Sequence, residues 1–119
     1  MSDTNDNILD MEVIGALRAL EEDGAPGLYD EIVELFLMDT PTRLQDLATA
    51  SAEGDMKGVE AAAHSLKGSC GNLGATTLVD LFRRIEQLSR EELVDEIPNL
   101  VGQIGPEFDR VQAALKEAK

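Results

Sequence analysis

Apolar residues recur at every third or fourth position along most of this sequence, and no stretch alternates steadily between apolar and polar residues. The first spacing is typical of amphipathic helices, whereas alternation would indicate strands. We therefore predict an all-α chain. Helices are expected from about residue 13 to 20, from 28 to 53, from 56 to 71 and from 78 to 88. Apolar positions at the same spacing continue from 93 to 115 and predict a last helix.

Glycine and proline mark the expected connectors. The segment GAPG at 24–27 separates the first two predicted helices, and Gly54-Asp55 indicates the end of the second helix and the N-cap of the third. Pro41 lies inside the second helix. Because proline cannot donate a backbone hydrogen bond, we expect this helix either to kink there or to divide into two.

The signals around the last helix are less regular. Ser89 and Glu92 have the spacing of a capping box, which predicts that the helix starts near residue 90. Two prolines and two glycines then interrupt the apolar pattern and predict a kink or a break: Pro98, Gly102, Gly105 and Pro106.

Four amphipathic helices with short connectors predict an antiparallel up-down four-helix bundle, with the short extra N-terminal helix packed over one end. The length of 119 residues suits one domain, which we assign to residues 8–119, with residues 1–7 as a flexible N-terminal tail. No apolar run reaches the ~18 to 20 residues of a membrane span, and the N-terminus lacks the regions of a signal peptide. We therefore expect a cytoplasmic protein.

The charge of the chain disfavours some classes of partner. The formal net charge is −14, and nucleic acids and anionic membranes are themselves polyanions, so we expect neither as a partner. Residues 61–90 differ, because they carry four basic and two acidic side chains. This basic segment contains the only histidine, His64. Chance clustering of solvated charges explains the segment about as well as a function does.

A helical wheel indicates the direction of His64. Val59, Ala63, Leu66 and Cys70 lie along one line of the third helix, which must face the core, while His64 lies roughly 140° away from it. His64 is therefore predicted on the outside of the bundle. An ordinary surface histidine without a role is the remaining alternative.

The residues beside His64 favour a function. Gly68 and Gly71 follow on the same side of the helix, where glycine costs about 1 kcal/mol relative to alanine and has no packing reason. A bare surface is explained if another protein must approach the ring. Lys67 would place an ammonium group beside the same space, where it can stabilise a dianionic group on a ring nitrogen.

Other chemistry is poorly supported. Cys70 is the only cysteine, lies on the core line and is interpreted as a small buried hydrophobe, so a Cys/His nucleophilic pair is geometrically poor. One Cys and one His are too few for a zinc site, and we expect neither metal nor cofactor in this chain. The glycine spacing G-x-x-G-x-x-G at 68–74 does not match a nucleotide-binding loop.

The segment AHSLKGS at 63–69, followed by NLGA at 72–75, resembles the signature of histidine-containing phosphotransfer (Hpt) domains. The similarity extends upstream to FLMDTP at 36–41 and covers most of residues 28–90. It implies a four-helix bundle in which His64 accepts a phosphoryl group from an aspartyl phosphate on a receiver domain and passes it to another receiver domain.

The resemblance also implies roles for neighbouring residues. Lys67 would stabilise the phosphate, Gly68 would clear the approach, and Glu86 would hydrogen-bond the other ring nitrogen and orient the imidazole. The receiver docking face would include Ser65, Gly68 and Gly71. Arg83 would attract phosphate or the acidic rim of a receiver, although a solvated surface position explains it better.

The partners implied are response-regulator receiver domains, which would bring Mg²⁺, and a hybrid histidine kinase. The chain itself would be a monomeric phosphoryl carrier without kinase activity. Two alternatives remain. The dimerisation domain of a sensor kinase usually has an acidic residue directly after its histidine, where this chain has Ser65. A non-catalytic helical adaptor that binds signalling partners would leave the bare face around His64 unexplained.

Overall fold

The computed structural model describes residues 8–117, and this part of the chain contains five α-helices and no strand. The helices are α1 (Met11–Glu22), α2 (Leu28–Ala52), α3 (Met56–Gly71), α4 (Thr76–Arg90) and α5 (Ile97–Glu117). A short 3-10 helix, Val94–Glu96, precedes α5. The all-α prediction is confirmed. The tail predicted at residues 1–7 lies outside the described residues.

The second predicted helix does not divide at Pro41. Helix α2 runs unbroken for 25 residues, although a proline in its interior removes one backbone hydrogen bond. Buried residues occur on both sides of the proline, including Phe36, Thr40 and Leu47, so packing against the core holds both halves in one helix.

The connector before α3 follows the sequence signal, and the turn after α3 depends on a glycine. Asp55 is the N-cap, and its side chain accepts a hydrogen bond from the backbone N–H of Gly58 at 3.0 Å. After α3, Gly74 adopts a φ of +69°, which few residues other than glycine tolerate. The backbone N–H of Asp10 donates to the carbonyl oxygen of Gly74 at 2.7 Å. The start of α1 is thereby held against the turn between α3 and α4.

The predicted start of the last helix is wrong. Ser89 does not cap a new helix but lies buried in the last turn of α4, where its hydroxyl donates to the carbonyl oxygen of Glu86 at 2.8 Å. Glu92 has a φ of +59° and belongs to the connector. Helix α5 starts seven residues later than predicted, at Ile97, with Pro98 in its first turn, where a missing N–H is tolerated.

The break predicted within the last helix does not occur. Helix α5 is continuous from Ile97 to Glu117 and passes through Gly102, Gly105 and Pro106. One face of the helix remains buried on both sides of the proline, at Leu100, Ile104, Phe108, Val111 and Leu115. Burial of this apolar face outweighs the low helix propensity of the interrupting residues.

The core lies between the four longer helices. Each of them packs on its neighbour in the chain, and α5 also packs on α2. The rings of Phe36 and Phe108 are 5.7 Å apart across that last contact, and the buried hydroxyl of Tyr29 donates to the carbonyl oxygen of Leu115. No helix in residues 8–117 is long and apolar enough to cross a membrane.

Candidate functional site

His64 lies on the outer surface of α3. Its side chain is 71% exposed, whereas Ala63, Leu66 and Cys70 on the same helix are completely buried. The outward direction predicted from the helical wheel is confirmed. The imidazole therefore stands on a rigid helix whose opposite face is fixed in the core.

The buried carboxylate of Glu86 contacts the imidazole from α4. Its Oε2 lies 3.0 Å from Nδ1 of His64, and its Oε1 accepts a hydrogen bond from Nζ of Lys67 at 2.7 Å. The Glu86 side chain is only 8% exposed. The structure thus brings His64 and Lys67 together around the Glu86 carboxylate, as the sequence suggested.

The protonation of Glu86 determines which ring nitrogen carries a proton. Burial by itself would raise the pKa of Glu86, but hydrogen bonds from Lys67 and His64 outweigh burial and hold this pKa below its usual value. An ionised carboxylate can only accept hydrogen bonds. Nδ1 of His64 must therefore donate to Oε2, and in the neutral imidazole the lone pair then lies on Nε2.

The two glycines after His64 leave open space. A methyl group added at Gly68 or at Gly71 would have no atom within 4 Å outside its own helix. Neither residue is needed for packing within the described structure, in agreement with the argument from the sequence. The surface beside the imidazole is accessible to a large partner.

Ser65 and Arg83, which were also predicted at the site, have hydrogen-bond partners other than His64 and Glu86. The hydroxyl of Ser65 accepts a hydrogen bond from Arg43 of α2, on the side of the helix away from Glu86. Arg83 pairs with Asp80 on its own helix, so the structure does not bring it to the Glu86 carboxylate. Cys70 is buried, and burial raises the pKa of its thiol to about 12, which disfavours the reactive thiolate.

The sequence argument missed Arg90. Its Nη2 donates to Oε2 of Glu86 at 3.1 Å, and its Nε donates to Oε2 of Glu60 at 2.9 Å. The spacing of Glu86 and Arg90, four residues apart on one helix, could have indicated the first contact. No local signal indicates the second, because Glu60 and Arg90 are 30 positions apart.

An apolar groove adjoins this site. It has a volume of about 690 Å³ and lies between α1, α2 and the end of α3. Leu35 and Met38 line it and are 60% and 77% exposed. Asp39 also lines the groove and pairs with Arg43, which in turn contacts Ser65 beside His64. The groove is therefore linked by direct contacts to the helix that carries His64.

The structure offers no cluster of metal ligands in residues 8–117. Nowhere in this part of the chain do three side chains of His, Cys, Asp or Glu come together in an arrangement that could hold a metal ion. The carboxylate nearest to His64 is occupied by hydrogen bonds from the protein itself.

The comparisons with known proteins agree with this geometry. The family model of the Hpt domain matches residues 31–117. This chain belongs to the Hpt domain family. A relative of this Hpt domain is histidine-containing phosphotransfer protein 2 of Arabidopsis thaliana, with 24% identity over 104 residues, which cover 85% of this chain and 67% of the relative.

A solved structure matches a larger share of this Hpt domain than the Arabidopsis relative does. The crystal structure of histidine-containing phosphotransfer protein B (HptB) from Pseudomonas aeruginosa PAO1 superimposes with a TM-score of 0.80. The two chains are 29% identical, and the superposition covers 92% of this chain and 91% of the other. The family match includes His64, Lys67, Glu86 and Arg90 but begins after α1. One residue that lines the groove, Leu17 of α1, thus lies before the residues that the family model matches.

Proposed function

We propose that this Hpt domain carries phosphoryl groups in a two-component phosphorelay. His64 accepts a phosphoryl group from the aspartyl phosphate of one receiver domain and delivers it to the aspartate of another, without kinase activity in this chain. The observation that carries the proposal is the exposed imidazole whose Nδ1 is held by the buried, ionised Glu86 carboxylate. This contact leaves the nucleophilic lone pair on Nε2.

The transfer step is a simple displacement at phosphorus. The Nε2 lone pair forms the N–P bond while the P–O bond to the receiver aspartate breaks, and the aspartate leaves as a carboxylate. Nδ1 keeps its proton, so the phosphorylated ring carries a formal positive charge that the Glu86 carboxylate offsets. The same step in reverse delivers the phosphoryl group to the next receiver domain.

Charge stabilisation is divided between the two proteins in this proposal. Phosphoryl transfer depends mainly on in-line positioning and on neutralising the phosphoryl oxygens. Lys67 of this chain donates to the Glu86 carboxylate that also contacts the ring, which places its ammonium group close to the imidazole. The receiver domain supplies Mg²⁺, and the Hpt domain uses no cofactor of its own.

The surface around His64 supports docking of a receiver domain. The open side at Gly68 and Gly71 allows close approach, and the apolar groove with exposed Leu35 and Met38 offers contact area beside it. Large exposed apolar patches are typical of protein interaction sites. We propose that the partners are response-regulator receiver domains and the receiver domain of a hybrid histidine kinase, each of which binds one Hpt monomer.

The helix arrangement is part of the same proposal. Contacts of α3 with α2 and α4, and of α5 with α4 and α2, support an antiparallel up-down four-helix bundle with α1 as an addition. The pairs His64–Glu86 and Glu60–Arg90 require α3 and α4 to run in opposite directions. Such a bundle presents His64 on a rigid surface.

The experiment that tests the function uses phosphorylated receiver domains. The domains of the source organism are labelled with radioactive phosphate and mixed with the wild-type protein or with His64→Gln. We expect acid-labile label on the wild type and none on the variant. Because His64 is exposed, the variant should fold normally. Label on His64→Gln would place the acceptor elsewhere, and no transfer to the wild type from any receiver would support an adaptor instead.

A further inference from the structure

More donors reach the Glu86 carboxylate than the orientation of one imidazole requires. Oε1 accepts from Lys67, and Oε2 accepts from both His64 and Arg90. A side chain that is almost completely buried thus contacts two permanent cations as well as the histidine. The second cation needs an explanation.

The proposed function creates a conflict for Lys67. The ammonium group is expected to stabilise a phosphoryl group on Nε2, yet in this structure Nζ lies 2.7 Å from Oε1 of Glu86. Nε2 and Nδ1 are separated by one ring carbon and point in different directions, so an ammonium group that turns towards a phosphoryl group on Nε2 weakens its contact with Oε1. A buried carboxylate that loses its only cation is strongly destabilised.

Arg90 is placed so as to resolve this conflict. It lies in the last turn of α4 and donates to Glu86 with Nη2 while Nε donates to Glu60 on α3. The planar guanidinium carries several donors in a fixed arrangement, so it can bind two carboxylates at once. Glu60 thereby anchors Arg90 to the helix that carries His64.

We propose that Arg90 is a positioning residue that keeps the Glu86 carboxylate paired and directed at Nδ1 when Lys67 shifts to the phosphoryl group. The inference rests on the proposed function of His64. Lys67 exchanges one acceptor, Oε1, for another, a phosphoryl oxygen, and no covalent bond changes in this exchange. Arg90 and Glu60 keep their contacts throughout.

The first test imitates the departure of Lys67 and does not require phosphorylation. The pKa of the Glu86 carboxyl is measured by ¹³C NMR titration in Lys67→Ala, alone and combined with Arg90→Ala or Arg110→Ala. Arg110 is the matched control, because it is about as exposed as Arg90 and also pairs with a buried glutamate, Glu107, but on α5.

In the first test we expect loss of Arg90 to raise the Glu86 pKa by about one pH unit or more, because an adjacent opposite charge has an effect of that size. Loss of Arg110 should leave the Glu86 pKa unchanged. Equal Glu86 pKa values in Lys67→Ala and in the double variant without Arg90 overturn the proposal.

The second test measures the lifetime of phosphohistidine after loading with phosphoramidate, a small-molecule donor that requires no receiver. We expect the lifetime to fall about fivefold or more in Arg90→Ala, because a hydrogen bond between charged groups is lost. Arg90→Lys, which keeps the charge, should restore part of the lifetime, and Arg110→Ala should match the wild type. Arg90 is 59% exposed, so its replacement should not prevent folding.

The outcomes separate this inference from the proposed function. A wild-type lifetime in Arg90→Ala overturns the role of Arg90 while the function of His64 stands. If phosphoramidate and phosphorylated receivers both fail to label His64 in the wild type, the proposed function fails. The carboxyl titration still decides in that case whether Arg90 sustains the Glu86 carboxylate.

Discussion

The chemistry of His64 is set by two neighbours with opposite properties. On one side the buried Glu86 carboxylate fixes the protonated nitrogen, and on the other side Gly68 contributes no side chain. A histidine on a helix surface is common, whereas a histidine held by a buried carboxylate beside a bare face is specific enough to test residue by residue.

Gly68→Gln should slow transfer from a receiver domain by about tenfold or more, because small displacements of reacting groups have effects of this size. The free energy of unfolding should rise by up to about 1 kcal/mol, since glutamine favours helix more than glycine does. Gly102→Gln is the control, because Gly102 also faces open space within a helix. It should stabilise α5 without slowing transfer. Equal transfer rates in all three proteins would show that Gly68 does not clear the approach.

The ionised state of Glu86 predicts a pH dependence of stability. Because its pKa is lower in the folded protein than in the unfolded chain, its contribution to stability is present above the unfolded value of about 4.3 and is lost as the pH falls through the lower folded value. Glu86→Gln cannot titrate at this position. We expect the difference in free energy of unfolding between wild type and Glu86→Gln, measured in urea from pH 7 to pH 3, to decrease below about pH 4.3. A difference that is constant over this range would contradict the lowered pKa.

At the level of helices and turns, a local capping signal predicted the start of one helix correctly and the start of another wrongly. Asp55 is both the expected N-cap and the observed one. Ser89 and Glu92 carry an equally valid local signal, but the Ser89 hydroxyl bonds within α4, so the last helix starts later. The exposure of Leu35 had no local signal, because it depends on how α1 and α3 pack beside α2.

The turn between α3 and α4 is expected to be sensitive at Gly74. A side chain there would be strained by the positive φ, and its Cβ would lie 2.9 Å from the carbonyl oxygen of Asp10. Gly54 has a similar φ but open space around it, which makes it the matched control. We expect Gly54→Ala to lower the free energy of unfolding by about 1 kcal/mol and Gly74→Ala by clearly more. Equal losses in urea unfolding would show that the contact with Asp10 adds nothing.

On the scale of the whole molecule, the charged groups around His64 and the exposed apolar residues of the groove lie on adjoining parts of the surface. The net charge is −14, while the segment that contains His64 is locally basic and adjoins the apolar groove. The helical wheel predicted the exposed His64 with Lys67 beside it, and the resemblance to a known family added Glu86. It did not predict the groove or the contact between Glu60 and Arg90, since both depend on residues that only the fold brings together.

Met38→Gln should weaken transfer from receiver domains by about tenfold, because exposed apolar residues at the centre of an interface contribute disproportionately to binding. Loading of His64 by phosphoramidate should be unaffected, since that donor needs no docking surface. Leu93→Gln is the control, because Leu93 is also exposed but lies in the connector before α5. If Met38→Gln and Leu93→Gln transfer equally well, the groove is not the docking surface.

The position of Leu17 in the wall of the groove has a consequence for how such a protein acquires new partners. Leu17 belongs to α1, which precedes residues 31–117, the part of the chain that the family model matches, while His64 and its hydrogen-bonded neighbours lie within that part. Sequence changes confined to the leading helix would reshape the groove and leave the reactive nitrogen as it is. Proteins with the same transfer chemistry would then differ in the partners that they bind, because of a helix that takes no part in the reaction.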